Sequence, residues 1–223
     1  MRRALLYDIH GNLVALDAVL DDAREAGAEG FVLGGDYALF GAWPAETLAR
    51  LETLPSTTWI RGNTERYLVE DPKWTEGLDA LEFVRAALEH QIQRLYSLPT
   101  EARLDGVLFC HASPLAHDET FGPAPADEEE RLLGPVREGT VVFGHSHVQF
   151  LRPGSDGVTL VNPGSVGLPM DGDTRAAWAL LHPSGEIELR RTSYDVARAA
   201  AAVRPHGAWG AQFATALETA TRF

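Results

Sequence analysis

Residues 4–13 read Ala4-Leu5-Leu6-Tyr7-Asp8-Ile9-His10-Gly11-Asn12-Leu13: four apolar residues, a carboxylate, an imidazole and a glycine turn. The apolar run is the length of a buried strand, and the polar residues fall just past its C-terminal end. A helical pattern follows at once from Leu13 to Ala26, with Leu13, Leu16 and Leu20 on one side. Gly27 stands where a helix closes. One strand, one sharp polar turn and one helix make the unit from which an open α/β sheet is built.

The unit recurs. Phe31-Val32-Leu33 runs into Gly34-Gly35-Asp36, and a helix follows from Pro44 to Leu51 with Pro in its first turn. Thr57-Thr58-Trp59-Ile60 runs into Arg61-Gly62-Asn63-Thr64-Glu65, and a longer helical pattern spans residues 76–97, ending before Pro99. From residue 102 hairpins take over. Ala102–Leu104 and Val107–Cys110 flank Asp105-Gly106; Val148–Arg152 pairs with Val158–Val161; Ala176–Leu181 pairs with Ile187–Arg191. Thr140–Phe143 is a further strand, and an Ala-rich helical tail closes the chain. The expected fold class is α/β, two packed sheets with helices outside, in a single domain over residues 1–223. No internal repeat is visible.

Composition narrows the function. Nineteen Lys+Arg against 32 Asp+Glu, a net charge of -13, argues against long nucleic acids and anionic membranes as partners. The lone Cys110 excludes an internal disulfide and, with no membrane span, fits a cytoplasmic protein. Residues 114–130 are the expected exposed loop, and Asp127-Glu128-Glu129-Glu130 reads as a solvated helix start.

The ends of the strands carry the chemistry. Besides the three turns above, Phe109-Cys110 is followed by His111, and Val142-Phe143 by Gly144-His145-Ser146-His147. Ligands of α/β sheets gather at such positions. Asp-x-His or His-x-His alone is weak, but Asp-x-His-Gly-Asn in a chain with 21 Gly and three Asn has a chance expectation below about one in a thousand. Four His, two Asp and one Asn suit two borderline divalent ions, Mn foremost, with Fe, Zn, Ni and Co as alternatives. Asp36, midway in strand order, is the expected bridge between them. Two dications, two carboxylates and a bridging hydroxide leave about one positive charge, suited to an anionic phosphoryl centre.

Taken in order, these motifs resemble those of the calcineurin-like metallophosphoesterase superfamily: D-x-H, G-D, G-N-H-[DE], H and G-H-x-H. The resemblance is nearest to its small bacterial D-x-H-G-N branch of cap-free phosphodiesterases, and spans residues 8–147. Asn162-Pro163-Gly164-Ser165 is similar to a loop that follows the last motif. The resemblance implies a four-layer α/β/β/α sandwich of two mixed β-sheets. It implies hydrolysis of phosphodiesters, and of phosphomonoesters too, by a hydroxide bridging two metals. Asp8, His10 and His147 would hold the first ion, Asn63, His111 and His145 the second, with Asp36 between them. Asn63 and His111 would serve catalysis as well, Asn63 would face the phosphate, and Asn12 would shape the first turn and contact substrate. Thr64 departs from the pattern, because many members have a leaving-group acid, His, there. That leaves water, Glu65 or another donor and favours phosphodiesters and activated leaving groups. A non-catalytic interaction scaffold is the alternative function, disfavoured because every ligand position is filled.

The remaining candidates read as structural. His90, His117, His182 and His206 are expected at the surface, Cys110 in the core, Arg61 and Arg66 as solvated charges, and Trp43, Trp59, Trp74, Trp178 and Trp209 as packing residues. Residues 170–223 carry no functional motif.

Overall fold

A computed structural model describes residues 1–70 and 79–222. Among these residues ten strands form two five-stranded mixed sheets. In the first, β1 (Arg3–Leu6), β2 (Gly30–Leu33) and β3 (Thr57–Trp59) run parallel; β9 (Ala176–Leu181) and β10 (Ile187–Thr192) extend the other edge antiparallel, in the order β10-β9-β1-β2-β3. The second contains β4 (Glu101–Leu104), β5 (Val107–Cys110), β6 (Gly139–Val142), β7 (Phe150–Pro153) and β8 (Val158–Asn162), in the order β4-β5-β6-β8-β7.

Strand alternation explains the layers. Leu5, Tyr7 and Val32 point from the first sheet onto Val107, Phe109, Val142 and Val161 of the second. Their neighbours Ala4, Leu6, Phe31 and Leu33 point the other way, beneath α1 (Leu13–Glu25), α2 (Pro44–Glu52), α7 (Val196–Val203) and α8 (Gly207–Thr219). Both faces are thus buried, which is why the strands read as unbroken apolar runs. Truncating Phe109 to Ala between the sheets would cost about 3–5 kcal/mol. The outer face of the second sheet, with Leu108, Val141, Phe150 and Leu160, is covered by Phe121 and the short α6 (Glu129–Leu133). The expected four layers are present, the fourth being thin.

The Asp105-Gly106 hairpin forms as expected, with positive φ at both residues (51° and 81°), as a type I′ turn demands. Other expectations need correction. The helix expected over 76–97 is two within the described residues, α4 (Asp79–Ala87) and α5 (Ile92–Tyr96). Between them Gln91 N–H bonds to Leu88 three residues back, a tight turn that keeps both Leu88 and Leu95 fully buried. Residues 76–78 of that pattern, and Trp74, lie outside the described residues. A further helix, α3 (Asn63–Glu70), starts inside the third polar turn, where the sequence suggested a turn alone.

The acidic run is not a solvated helix start throughout. Glu129 is 5% exposed; its carboxylate accepts from Arg152 at 2.5 Å and from Ser155 N–H at 2.7 Å. Arg61 and Arg66 are likewise engaged: Arg61 donates to the Tyr96 carbonyl at 2.7 Å, and Arg66 to Asp118. Trp178 and Trp209 are buried, Trp43 and Trp59 partly so, and Cys110 lies in the core. His90 and His117 are exposed; His182 and His206 are half-buried. Among the described residues, no helix is long and apolar enough to cross a membrane.

Candidate functional site

The turns after β1, β2, β3, β5 and β6 converge, bringing together all seven residues singled out at the strand ends. Each turn is shaped by backbone that side chains rarely adopt. Asp8, His10, Asp36, His145 and His147 all have φ between 49° and 67°, half of the ten non-glycine residues with positive φ among those described. Such conformations cost of order 1 kcal/mol each and survive where surroundings impose them. Here the imposition is visible. Asp8 N–H bonds to Gly35 O, His10 N–H to Asp36 O, and Gly11 N–H to Tyr37 O, tying the first turn to the second. Ser165 Oγ donates to Asp8 O at 2.6 Å from the Asn162-Pro163-Gly164-Ser165 loop, so that loop braces the first turn. Gly62 is needed for close approach: a Cβ there would lie 2.2 Å from Asp36 Oδ1.

The imidazoles are oriented by carbonyls. His10 Nδ1 donates to Leu39 O at 3.0 Å, His147 Nδ1 to Leu168 O at 2.7 Å and His111 Nδ1 to Gly34 O at 2.8 Å. Each bond leaves Nε2 pointing into the site. His10 Nε2 and His147 Nε2 face each other at 3.2 Å, with Asp8 Oδ1 at 3.5 Å from the latter. On the other side His111 Nε2 lies 2.8 Å from Asn63 Oδ1, which is also 2.7 Å from His145 Nδ1. Asp36 spans the two halves, Oδ2 at 3.7 Å from His10 Nε2 and Oδ1 at 3.4 Å from His111 Nε2.

The electrostatics of this cluster ask for a cation. Asp8 is fully buried; Oδ2 accepts from His145 N–H, while no donor reaches Oδ1 among the described residues. Burial, helped by the Asp36 charge, pushes its carboxyl up to about 8. Burial also raises Asp36, but His111 and His10 outweigh it and hold that carboxyl low. His111 is raised despite burial, because Asp36 and Asp8 draw a proton onto it. Burial lowers His10, His147 and His145, the last to about 4 with the help of His111. A buried carboxylate oxygen without a donor beside two facing, unprotonated nitrogens fits a divalent ion. Asp8, His10 and His147 form one compact donor group, and Asp8, Asp36 and His111 a second.

Two expectations about the site fail on geometry. Asn12 does not contact the cleft: its carbonyl caps α1 through Ala15 N–H at 3.2 Å, and its amide donates to Gly167 O at 2.9 Å. Glu65 cannot donate to a leaving group, since its buried carboxylate accepts from Asp36, Tyr37 and Gly62 N–H at 2.9, 2.9 and 2.8 Å. The Thr64 hydroxyl also turns toward Glu65, at 3.3 Å.

The cluster opens into a cleft of about 410 Å³ with an apolar wall including Phe40, Tyr67 and Met170. Asp118 and Arg222 line it too. Sequence reasoning missed all five, because none sits in a motif or directly at a strand end.

Over residues 1–185 the chain matches the calcineurin-like phosphoesterase superfamily domain. It is 28% identical over 222 residues to an uncharacterized protein of Methanocaldococcus jannaschii, covering 88% of this chain and 89% of that one. A metallophosphoesterase crystal structure from Sphaerobacter thermophilus superposes with a TM-score of 0.81 at 25% identity, covering 99% of both chains. A hypothetical protein from Pyrococcus horikoshii OT3 shares the fold, with a TM-score of 0.75, 21% identity and 92% of each chain covered.

Proposed function

Since the chain belongs to the calcineurin-like phosphoesterase superfamily, we propose that it is a dinuclear metal-dependent hydrolase of small phosphodiesters, with phosphomonoesters as lesser substrates. The observation that carries this is Asp8 Oδ1, buried without a donor against the His10–His147 pair. Asp8, His10 and His147 would hold one ion, Asn63, His111 and His145 the other, and Asp36, with one oxygen toward each half, would bridge them. Two such ions, Mn foremost, would supply Lewis acidity and a nucleophile from water at neutral pH.

The chain's own residues do the rest. The carbonyls of Leu39, Gly34 and Leu168 fix the imidazole tautomers. Asn63, neutral, keeps the second half electrophilic where a third carboxylate would quench it. The apolar wall formed by Phe40 and Tyr67 excludes water from one side of the phosphoryl group. Among the described residues no protein acid stands ready for the leaving group: Thr64 is a hydroxyl, and burial with the Asp118 charge pushes Tyr67 up to about 12. Substrates that leave without a proton are therefore preferred.

Hydrolysis of bis(p-nitrophenyl) phosphate by chelator-stripped protein, before and after Mn²⁺, tests the reading. Turnover that depends on added metal is expected. Silence with Mn²⁺, Ni²⁺, Co²⁺ and Zn²⁺ alike would favour the scaffold alternative.

A further inference from the structure

The cleft has a second lobe. A contiguous cavity of about 510 Å³ shares Asp118, His145, His147, Met170 and Arg222 with it, but is walled by Thr120, Ser146 and Val148 in place of His10, Asp36 and Asn63. Where the first lobe has aromatic rings, the second has hydroxyls.

Arg222 stands at the junction. Helix α8 ends at Ala220, whose left-handed backbone (φ 51°, ψ 40°) turns the chain, and Gly172 N–H bonds to Ala220 O at 3.0 Å. That bond ties the tail to the segment just after Met170, which lines both lobes. Among the described residues Arg222 is the one arginine or lysine lining either lobe, and it makes no ion pair. Arg66, which reaches the lining residue Asp118, is committed: it pairs with Asp118 at 2.5 Å, and Tyr67 OH donates to the same carboxylate at 3.2 Å. Ser146 Oγ accepts from Asn162 Nδ2 at 3.0 Å, which leaves its own proton free to be donated into the lobe.

Resting on the phosphoesterase reading above, we propose that Arg222 and the Ser146 hydroxyl form an anion subsite that selects diesters bearing a second phosphate. A guanidinium at the lip offers a paired set of donors that matches a phosphate, while the reacting phosphoryl group sits at the histidine cluster. The Asp118 carboxylate in the same lobe, neutralised by Arg66, repels an anion less than a free acid would.

The test compares two probes that differ by one phosphate: thymidine 5′-(p-nitrophenyl phosphate) and the same compound carrying a 3′-phosphate. The Mn²⁺-loaded wild type is expected to prefer the phosphorylated probe in kcat/KM by about tenfold or more, the worth of a charge-assisted hydrogen bond. R222A brings the ratio of the two toward one, and R222K retains an intermediate ratio. A ratio that R222A leaves unchanged, or a wild type without preference, overturns the subsite. Calorimetric binding of thymidine 3′,5′-bisphosphate gives an answer that needs no turnover. Binding about tenfold weaker in R222A supports the subsite even if both probes resist hydrolysis, an outcome that would count against the phosphoesterase reading alone. Equal affinities in wild type and R222A would overturn it.

Discussion

The carboxylate of Glu65 accepts the backbone N–H of Asp36 at 2.9 Å from a residue one position beyond Thr64, whose own N–H donates to Asp36 Oδ1 at 2.9 Å. The second and third turns are therefore clamped in both directions, and Glu65 also takes Tyr37 and Gly62. Replacing it by Ala strands three buried donors, so E65A is expected to lose about 3–5 kcal/mol of stability. Its affinity for Mn²⁺ should fall at least about tenfold, as for other groups that orient ligands. Thermal unfolding and a metal titration measure both. Wild-type Mn²⁺ affinity in a folded E65A would show that the clamp does not position Asp36.

Gly62 makes a sharper case. G62A puts a methyl 2.2 Å from Asp36 Oδ1, and Asp36 N at 2.5 Å and Glu65 Oε2 at 2.9 Å block retreat. A displacement of even 1 Å at a reacting site costs about a hundredfold in rate. Activity should fall by that much or more in protein whose circular dichroism is unchanged; G62A with wild-type turnover would refute the close approach.

Asp8 sets a pH dependence for the metal-free protein. Its carboxyl is raised from 3.8 to about 8, so its contribution to stability is full below the unfolded value and is lost as pH rises through about 8. His10, His145 and His147 are lowered and act in the opposite sense, with stability lost as pH falls below their unfolded 6.5. Chelated protein should thus melt highest between these limits. D8N should shrink the fall on the alkaline side, leaving the smaller part due to His111, which Asp36 also holds raised, and should abolish hydrolysis. An alkaline limb of undiminished size in D8N would assign it to another group.

Thr64 is expected to be chemically passive. Loss of a general acid costs about a hundredfold or more, whereas T64A should cost less than about fivefold on p-nitrophenyl diesters, since the N–H that holds Asp36 is backbone. Across leaving groups of rising pKa, wild type and T64A should slow in parallel. A divergence confined to poor leaving groups would make the hydroxyl a participant.

Glu129 provides a control far from the chemistry. E129A leaves Arg152, 11% exposed, without its partner and should destabilise by about 3 kcal/mol. The kcat of the folded fraction is expected to stay at the wild-type level; a large drop would link this pair to the cleft.

Much of this architecture was legible in the sequence because two periodicities and one positional rule carry it. Ala4–Tyr7 and Val107–Cys110 are unbroken apolar runs since both sheet faces are covered, and the Asp105-Gly106 pair announces its own turn. The seven polar residues stood out because strand ends are where a chain can afford Asp, His and Asn together. What stayed hidden depends on tertiary contact. Asn12 looks like a ligand neighbour, yet its amide is turned away to the Gly167 carbonyl, 155 positions along the chain. Glu65 looks like a spare acid until three amides surround it. Arg222 carries no local signature, and only the turn at Ala220 and the bond from Gly172 bring it to the cleft.

His10 and His147 lie 137 positions apart and hang from different sheets. A cation held between them would be a rivet across the sandwich, so metal loading should raise the resistance of both sheets to mild denaturant together.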